Sequence, residues 1–287
     1  MSSTIFPIFF QERFLQVQNK PGRIADIDAF VKALQLAKRI TRRDYEVLAG
    51  RMQYAESFTY GRLSRFVMGP LKSAVFGVVV SSALFTSAMD EACSLLCSCI
   101  NSALPRRIPL SFDPRYSIAF TDGACEGAER GLVTCGAVVH EIGLAGTWWF
   151  HLRISDDLVA HWKKTGDKQQ VIAEAELFPI IVAREMMQSG DQLRLLVHYV
   201  DNDGVSDSLI KGFSNVLALQ FLLHEYVQQE VSLSAVSWVA RVPSPSNPAD
   251  APSRSHVYCN DGYDRGLDRS IEALLICASI SAKILSR

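Results

Sequence analysis

The sequence predicts an α/β protein in which a mixed five-stranded sheet is flanked by helices and preceded by a small helical module. Two observations support this fold class. Residues 1–104 carry apolar side chains mainly at helical spacing, whereas strand-like runs alternate with helical ones after residue 116. A length of 287 residues, with 48% apolar and 21% charged residues, suits about two domains of ordinary globular composition.

The helical module is expected to hold three helices and then one or two more. Thr41 has Asp44 three residues later, an arrangement typical of a capped helix start. The apolar tract 73–89 is too short to cross a membrane, which takes about 20 residues, so we predict a buried helix there. We predict helices at 23–37, at about 42–58, from Gly61 to near Gly69-Pro70, and within 71–104.

A linker is predicted to separate this module from the rest of the chain. Residues 104–109 contain two prolines and a pair of arginines, which interrupt all periodicity. The predicted domains are therefore a helical module at 1–104, a sheet-containing domain at 105–260 and a C-terminal helix at 261–287.

The sheet-containing domain is predicted to begin with three paired strands and to continue with alternating helices and strands. Gly123 is expected to turn the backbone away at the end of the first strand. Pro179 is tolerated in a helix only near its start, so Glu176 is expected in the first turn of its helix. The strands are expected at 116–122, 132–140, 146–154, 193–200 and 233–240, and the helices at about 174–188, at about 213–229 and after Asp261.

Four acidic residues stand out because each lies near the end of a strand or the start of a helix. If they converge, their carboxylates cannot all remain charged without cations, so convergence implies bound divalent metal. Simpler explanations exist, since an aspartate can shape a turn or cap a helix. Glu174 competes with one of them, but residues two apart on a helix point to different faces. The four residues are Asp122, Glu176, Asp201 and Asp250.

The order and context of these acids resemble the ribonuclease H family. The catalytic set of that family is Asp, Glu, Asp and Asp, and the matching positions here are Asp122, Glu176, Asp201 and Asp250. The resemblance covers about residues 116–256 and implies a ribonuclease H-like fold. It also implies two Mg²⁺ ions, or Mn²⁺, as cofactors for hydrolysis of the RNA strand in RNA–DNA hybrids. Residues 238–244 lack the histidine that the cellular family usually carries before its last aspartate, which puts the turnover rate in doubt.

Two further segments resemble reverse transcriptases of retroelements, particularly the DIRS-like kind that carries a tyrosine recombinase. They are residues 48–56 followed by Gly61-Arg62, and residues 241–244 followed by 247–254. The resemblance implies that residues 1–104 are a thumb/connection-like segment and that a polymerase domain of the same element is a partner. Arg51, Arg62 and Arg65 are then candidate contacts to the nucleic-acid backbone, although solvated helix arginines show the same pattern.

Other functional classes fit the sequence less well. Residues 199–202 are similar to a reverse-transcriptase Tyr-x-Asp-Asp box, but Asn202 stands where polymerase chemistry needs a second aspartate. A transposase ends its acidic set with a glutamate, whereas here the glutamate comes second. A catalytically inactive nucleic-acid-binding or scaffold protein of the same fold stays open as an alternative, and metal-induced stabilisation distinguishes it from an enzyme.

Composition informs the partners and the cellular compartment. Basic residues exceed acidic ones by five within 1–66, whereas acidic residues exceed basic ones by five within 106–287. A basic first part suits a polyanion such as nucleic acid. Seven cysteines without a Cys-x-x-Cys pair, and a start without a signal peptide, favour a reduced intracellular compartment, either cytoplasm or nucleus, and no membrane association.

Overall fold

The computed structural model shows two compact units, residues 1–112 and 113–287. None of the helices within its described residues is long and apolar enough to span a membrane. The described residues are 8–11, 14–58, 64–76, 82–84, 87–102, 105–109, 116–126, 132–142, 146–166, 169–187, 194–232, 235–254 and 266–286.

Within its described residues, the first unit combines four helices with two small antiparallel sheets. One sheet has the strand order β1-β2-β5, and the other pairs β3 with β4. The helices pack in sequence around a core that includes Val31, Leu48, Leu71 and Leu96. The elements are β1 (Ile8–Gln11), β2 (Phe14–Val17), α1 (Arg23–Ala37), β3 (Arg39–Thr41), α2 (Arg42–Glu56), α3 (Arg65–Phe76), β4 (Ser82–Leu84), α4 (Ser87–Ser102) and β5 (Arg106–Pro109).

The structure confirms local predictions in this unit and corrects others. Thr41 and Asp44 form the predicted capping box at the start of α2. The predicted end of α3 near Gly69-Pro70 is wrong, because Met68, Leu71 and Val75 are buried along one face and carry the helix past the proline.

Two other expectations for the first unit also fail. The tract 73–89 is not one helix, because β4 lies between α3 and α4. Residues 106–109 of the expected linker form β5, an edge strand that pairs with β2, and its proline lies at the strand end where a missing N–H is tolerated.

The second unit is built on a six-stranded sheet with the order β10-β9-β6-β7-β8-β11. Neighbours β6, β7 and β8 are antiparallel, whereas β9 and β10 run parallel to β6. The elements are β6 (Tyr116–Glu126), β7 (Leu132–Ile142), β8 (Gly146–Arg153), α5 (Asp156–Gly166), α6 (Ile172–Met186), β9 (Arg194–Val200), α7 (Asp203–Lys211), α8 (Leu217–Ser232), β10 (Ala235–Arg241), a 3₁₀ turn (Ser244–Ser246), α9 (Asp250–Arg254), β11 (Leu267–Asp268) and α10 (Ser270–Leu285).

Helices flank this sheet, so the predicted fold class of a mixed sheet with helices on its faces is confirmed. Helix α6 packs on β6 and β7, with α8 and α10 against it, and α9 contacts β6, β7 and β8. The five predicted strands are present, and the sixth, β11, is a two-residue strand beside β8. The core of this unit is largely apolar, with Phe150, Leu177 and Ile181 fully buried.

Several boundaries in the second unit differ from the predictions. Strand β6 does not turn at Gly123, because it stays paired with β7 as far as Glu126 opposite Leu132. Pro179 lies in the middle of α6, where burial of the surrounding residues outweighs its missing hydrogen bond, and Glu176 therefore falls in the second turn.

Two helices of the second unit were not predicted. Helix α5 has paired acids in its first turn, paired lysines in its last turn and three buried apolar residues, so its sequence carried a usable signal. Helix α7 starts immediately after β9, where the Asn202 side chain accepts a hydrogen bond from the Val205 N–H at 3.1 Å.

Candidate metal centre

Three carboxylates from three separate elements meet at one edge of the sheet. Asp122 lies in β6, Glu176 in α6, and Asp201 directly after β9. One carboxylate oxygen from each lies within 4.8 Å of the other two. Within the described ranges, this is the group of Asp, Glu, His or Cys side chains whose spacing suits a metal ion.

Strand register brings the two aspartates together. The parallel pairing of β6 with β9 sets Phe120 opposite Tyr199, and their rings stack with centroids 4.9 Å apart. Asp122 lies two residues after Phe120, and Asp201 lies two residues after Tyr199. Parallel strands end at the same edge of a sheet, so continuing this register places the two carboxylates side by side.

Gly123 allows the helix that carries Glu176 to approach the sheet. A Cβ at this position would lie 2.4 Å from the carbonyl carbon of Ala175 and 2.6 Å from the backbone nitrogen of Glu176. Both are backbone atoms that cannot move aside independently. The glycine therefore serves a close contact between β6 and α6, and the predicted turn at Gly123 is wrong.

Gly136 serves the same purpose for α9 on the neighbouring strand. It lies opposite Asp122 in the β6–β7 pair. A Cβ here would lie 2.6 Å from the carbonyl carbon of Pro252 and 2.6 Å from the nitrogen of Ser253. His151 Nδ1 lies 2.7 Å from the Pro252 carbonyl oxygen and fixes the same turn. As a result α9 rests on the sheet beside the carboxylates.

Further hydrogen bonds tie the segment before and within α9 to the middle of β6. The Asn247 side chain donates to the Thr121 carbonyl oxygen at 3.0 Å. The Ser253 hydroxyl donates to one carboxylate oxygen of Asp122. Ser253 also reaches the Asp250 carbonyl oxygen at 3.0 Å, so one side chain links β6 with the first residue of α9.

Asp250 borders the three-carboxylate group but does not belong to it. Its side chain is 54% exposed and accepts a hydrogen bond from Arg254 Nε at 2.8 Å. Arg254 also donates to Glu126 at 3.2 Å. The charge of Asp250 nevertheless contributes to raising the pKa of Asp122, so the two carboxylates interact. The structure thus brings three of the four predicted acids into ligating range and places the fourth next to them.

Electrostatics at the centre oppose ionisation of all three groups. Burial raises the pKa of Glu176 to about 9, and the charges of Asp201 and Asp122 add to the effect. Burial also raises the pKa of Asp122 to about 6, a rise that the Ser253 hydroxyl opposes and the charge of Asp201 reinforces.

Two oxygens of this group are shielded from solvent and make no hydrogen bond with the described residues. They belong to Glu176 (Oε2) and Asp201 (Oδ1). Buried carboxylate oxygens without donors are costly unless a cation or a proton satisfies them. An all-oxygen donor set suits hard divalent cations such as Mg²⁺ or Mn²⁺. The residues present therefore fit a divalent ion.

The competing glutamate lies elsewhere. Glu174 is fully buried in the first turn of α6 and is not part of the three-carboxylate group. Sequence reasoning missed the contributions of Ser253, Arg254 and Gly136. The first two lie within the segment 247–254 that was singled out for its family resemblance, so a signal was present. Gly136 carried no such signal, because its close contact depends on where α9 docks.

Two of the three arginines predicted to contact nucleic acid, Arg51 and Arg65, lie within the described residues. Arg51 stacks on Phe30 with its guanidinium carbon 4.7 Å from the ring centroid. Arg65 is exposed at the start of α3, and Arg62 lies outside the described residues. Arg51 shares a cavity of about 520 Å³ with Arg23, which lies 4.3 Å from the Tyr54 ring centroid and was not predicted.

Comparison with known proteins finds similarity among solved structures only. No family model matches the chain, and no curated protein matches it. RNase H1 from the halophilic archaeon Halobacterium salinarum is 20% identical over 48% of this chain and 95% of its own, with a TM-score of 0.35. The N-terminal RNase H domain of a Mycobacterium tuberculosis protein is 17% identical over 49% of this chain and 91% of its own, with a TM-score of 0.33.

A third similar structure is larger. The prototype foamy virus protease–reverse transcriptase is 15% identical over 52% of this chain, with a TM-score of 0.32. The chain spans about a fifth of that protein, since the match covers 22% of it. On its own structure, this chain is an α/β protein with a carboxylate centre suited to a divalent metal.

Proposed function

We propose that this protein is a metal-dependent endonuclease of the ribonuclease H type, which hydrolyses the RNA strand of RNA–DNA hybrids. One observation carries the proposal: carboxylates from β6, α6 and the end of β9 converge within 4.8 Å of one another. The order of these acids along the chain, with Asp250 following at the start of α9, agrees with the family resemblance of the sequence.

Asp122, Glu176 and Asp201, with Asp250 beside them, would hold two Mg²⁺ or Mn²⁺ ions. Bound ions of this kind activate a water and stabilise the leaving 3′ oxygen of a phosphodiester. Neighbouring side chains hold the carboxylates in place. Ser253 orients Asp122 through its hydrogen bond, and Arg254 holds the Asp250 carboxylate at 2.8 Å.

Protonation couples to metal binding at this centre. With its pKa raised to about 9, Glu176 keeps a proton at neutral pH unless a cation displaces it. Asp122, with a pKa of about 6, is largely ionised at neutral pH and offers the first charged ligand. Metal binding should therefore release protons, and its affinity should rise with pH.

The proposed substrate calls for contacts beyond the carboxylates. The 2′-hydroxyl groups distinguish an RNA strand from DNA, and basic side chains position the phosphate backbone. We assign the second role to Arg51, Arg62 and Arg65 of the first unit, whose residues 1–66 carry an excess of five basic residues. The resemblance of both units to a retroelement reverse transcriptase of the DIRS-like kind further suggests a polymerase domain of the same element as a partner.

Cleavage of an end-labelled RNA–DNA hybrid in Mg²⁺ and in Mn²⁺ tests the proposal. Asp122→Asn and Glu176→Gln should each abolish cleavage of the RNA strand while hybrid binding persists. Glu174→Gln changes a glutamate two residues from Glu176, and Asp203→Asn changes an exposed aspartate two residues from Asp201, so both are matched controls that should stay active.

Two results would count against the proposal. Absence of cleavage in either metal, with hybrid binding retained, favours a catalytically inactive nucleic-acid-binding or scaffold protein. Equal loss of cleavage in Glu174→Gln and Glu176→Gln, with both variants folded, shows that the carboxylate assignment is wrong.

A further inference from the structure

Helix α10 presents an apolar stripe that the described residues leave uncovered. Its opposite face is buried on α6 and β8 through Ala273, Cys277, Ile280 and Ile284. The exposed fractions of the large side chains in the stripe are 82% for Ile271, 56% for Leu274, 70% for Leu275 and 42% for Leu285. A helix that is apolar on both faces is normally buried on both.

The stripe runs the full length of the helix and is free of charge. Ala278 and Ala282 are also exposed and lie between the larger residues at its two ends. At about 100° per residue, the six apolar positions fall within an arc of about 100°. Two alanines in the middle let another helix approach closely, while large residues at both ends limit where it can sit. The stripe therefore suits one helix of similar length.

Two charged residues border the stripe on one flank, and they indicate which helix packs against it. Glu272 and Lys283 are eleven residues apart, so they lie about 20° apart around the helix and about 16 Å apart along it. In an antiparallel pair related by two-fold symmetry, equivalent flanks of the two helices face each other. Glu272 of each copy, which Arg269 of its own chain already holds through a hydrogen bond at 2.7 Å, then also lies beside the partner's Lys283.

A parallel pair would lose this match. In a parallel pair, the flank of one α10 that carries Glu272 and Lys283 faces the opposite flank of the partner α10. That opposite flank carries Leu274 and Ser281 and has no charge. The antiparallel pair also matches side-chain sizes. If Ala278 lies at the two-fold axis, Leu274 meets the partner's Ala282 and Ile271 meets the partner's Leu285.

We propose that α10 is a dimerisation helix that pairs antiparallel with α10 of a second copy of this chain. A helix about 24 Å long and about 10 Å wide can bury roughly 900 Å² over both copies, which is below the roughly 1,200 Å² of stable specific interfaces and within the range of transient ones. The dimer is therefore weak, with a Kd of about 10 µM. The inference does not depend on the nuclease proposal, because α10 contributes no residue to the carboxylate centre.

Sedimentation velocity of the full chain between about 1 and 100 µM measures this association. Wild type should change from monomer to dimer across that range. Ile271→Asp should raise the Kd at least tenfold and so remain mostly monomeric up to about 30 µM. The matched control is Leu36→Asp on α1, because Leu36 is also highly exposed, at 85%, and should leave the Kd unchanged.

A charge swap tests the antiparallel geometry. Glu272→Lys and Lys283→Glu should each raise the Kd about three- to tenfold, since each sets like charges together in two symmetric places. The double variant restores opposite charges and should return the Kd to within about twofold of wild type. Both single changes oppose the helix dipole, and Glu272→Lys also loses the ion pair with Arg269, so the recovery cannot come from a more stable helix.

Three results would overturn the proposal: a wild-type monomer at 100 µM, a dimer that survives Ile271→Asp, or a double variant as weak as the single ones. Tryptophan fluorescence checks folding throughout, because all four tryptophans lie in the second unit, which contains α10. Asp122→Asn should dimerise as wild type does, so a failed nuclease proposal and a failed dimer proposal give different results.

Discussion

Replacing Asp122 with asparagine should stabilise the metal-free protein at alkaline pH. In the folded protein the pKa of Asp122 is raised from its usual 3.8 to about 6, chiefly by burial. A group whose folded pKa is raised favours folding fully below its unfolded pKa and loses that contribution as pH rises through the folded value. The cost of an ionised Asp122 should therefore appear between about pH 4 and pH 7.

The size of this effect follows from the shift. A rise from 3.8 to about 6 corresponds to roughly 3 kcal/mol at pH 8. Asparagine carries no charge and can still accept the Ser253 hydroxyl, but it loses the stronger bond made by a carboxylate, so we expect a net gain of about 2 kcal/mol. For a unit of this size, that gain raises Tm by about 4 to 8 °C.

Thermal unfolding in excess chelator, followed by tryptophan fluorescence, measures the Tm of the metal-free second unit, because all four tryptophans lie in that unit. Wild type and Asp122→Asn should unfold at similar temperatures at pH 4.5, and the variant should be the more stable at pH 8. Mn²⁺ should then raise the Tm of wild type at pH 8 and have little effect on the variant. Parallel pH profiles for the two proteins, or equal stabilisation by Mn²⁺, would refute this account of the site.

Three other predictions concern the support of the centre and the first unit. Gly123→Ala should lower the free energy of unfolding by at least about 3 kcal/mol or prevent folding, because its Cβ would lie 2.4 Å from the α6 backbone. The matched variant Gly50→Ala in α2 adds a Cβ with nothing within 4 Å and should stabilise the protein by about 0.5 to 1 kcal/mol. Urea titrations measure both changes. Ser253→Ala removes the hydroxyl donor to Asp122 and should weaken Mn²⁺ binding about tenfold in calorimetry at pH 7, without loss of fold. Arg51→Ala should weaken binding to the RNA–DNA hybrid at low salt, and it should reduce the slope of log K against log [salt] by about one counterion. Fluorescence anisotropy measures both, and an unchanged slope would show that Arg51 does not contact the nucleic acid.

Structural features that depend on residues close together in sequence were predictable, and those that depend on contacts between distant segments were not. The bounds of α1 and the capping box of α2 depend on residues within a few positions of each other. The strand β5, by contrast, pairs with β2 some 90 residues earlier in the chain. The prolines at 105 and 109 indicated a linker, because nothing local reveals a distant partner strand.

The candidate centre shows the same division. Asp122 and Asp201 could be picked out because each follows an apolar run with the composition of a strand. The choice of Glu176 over Glu174 rested on resemblance, since the helix phase relative to the sheet is fixed by the contact at Gly123. The exposed position of Asp250 could not be foreseen, because it depends on the ion pair with Arg254 and on the docking of α9.

The energetics of the centre argue that it serves a ligand rather than the fold. Glu176 and Asp201 each leave a buried oxygen without a hydrogen bond, and the pKa values of Asp122 and Glu176 are raised. These features all lower the stability of the metal-free protein. Gly123 and Gly136, which enlarge the conformational freedom of the unfolded chain, lie beside the same carboxylates and allow α6 and α9 to reach them. Sites that break the rules of stable packing in this way are typical of function, and a divalent cation would satisfy these oxygens and neutralise these charges together.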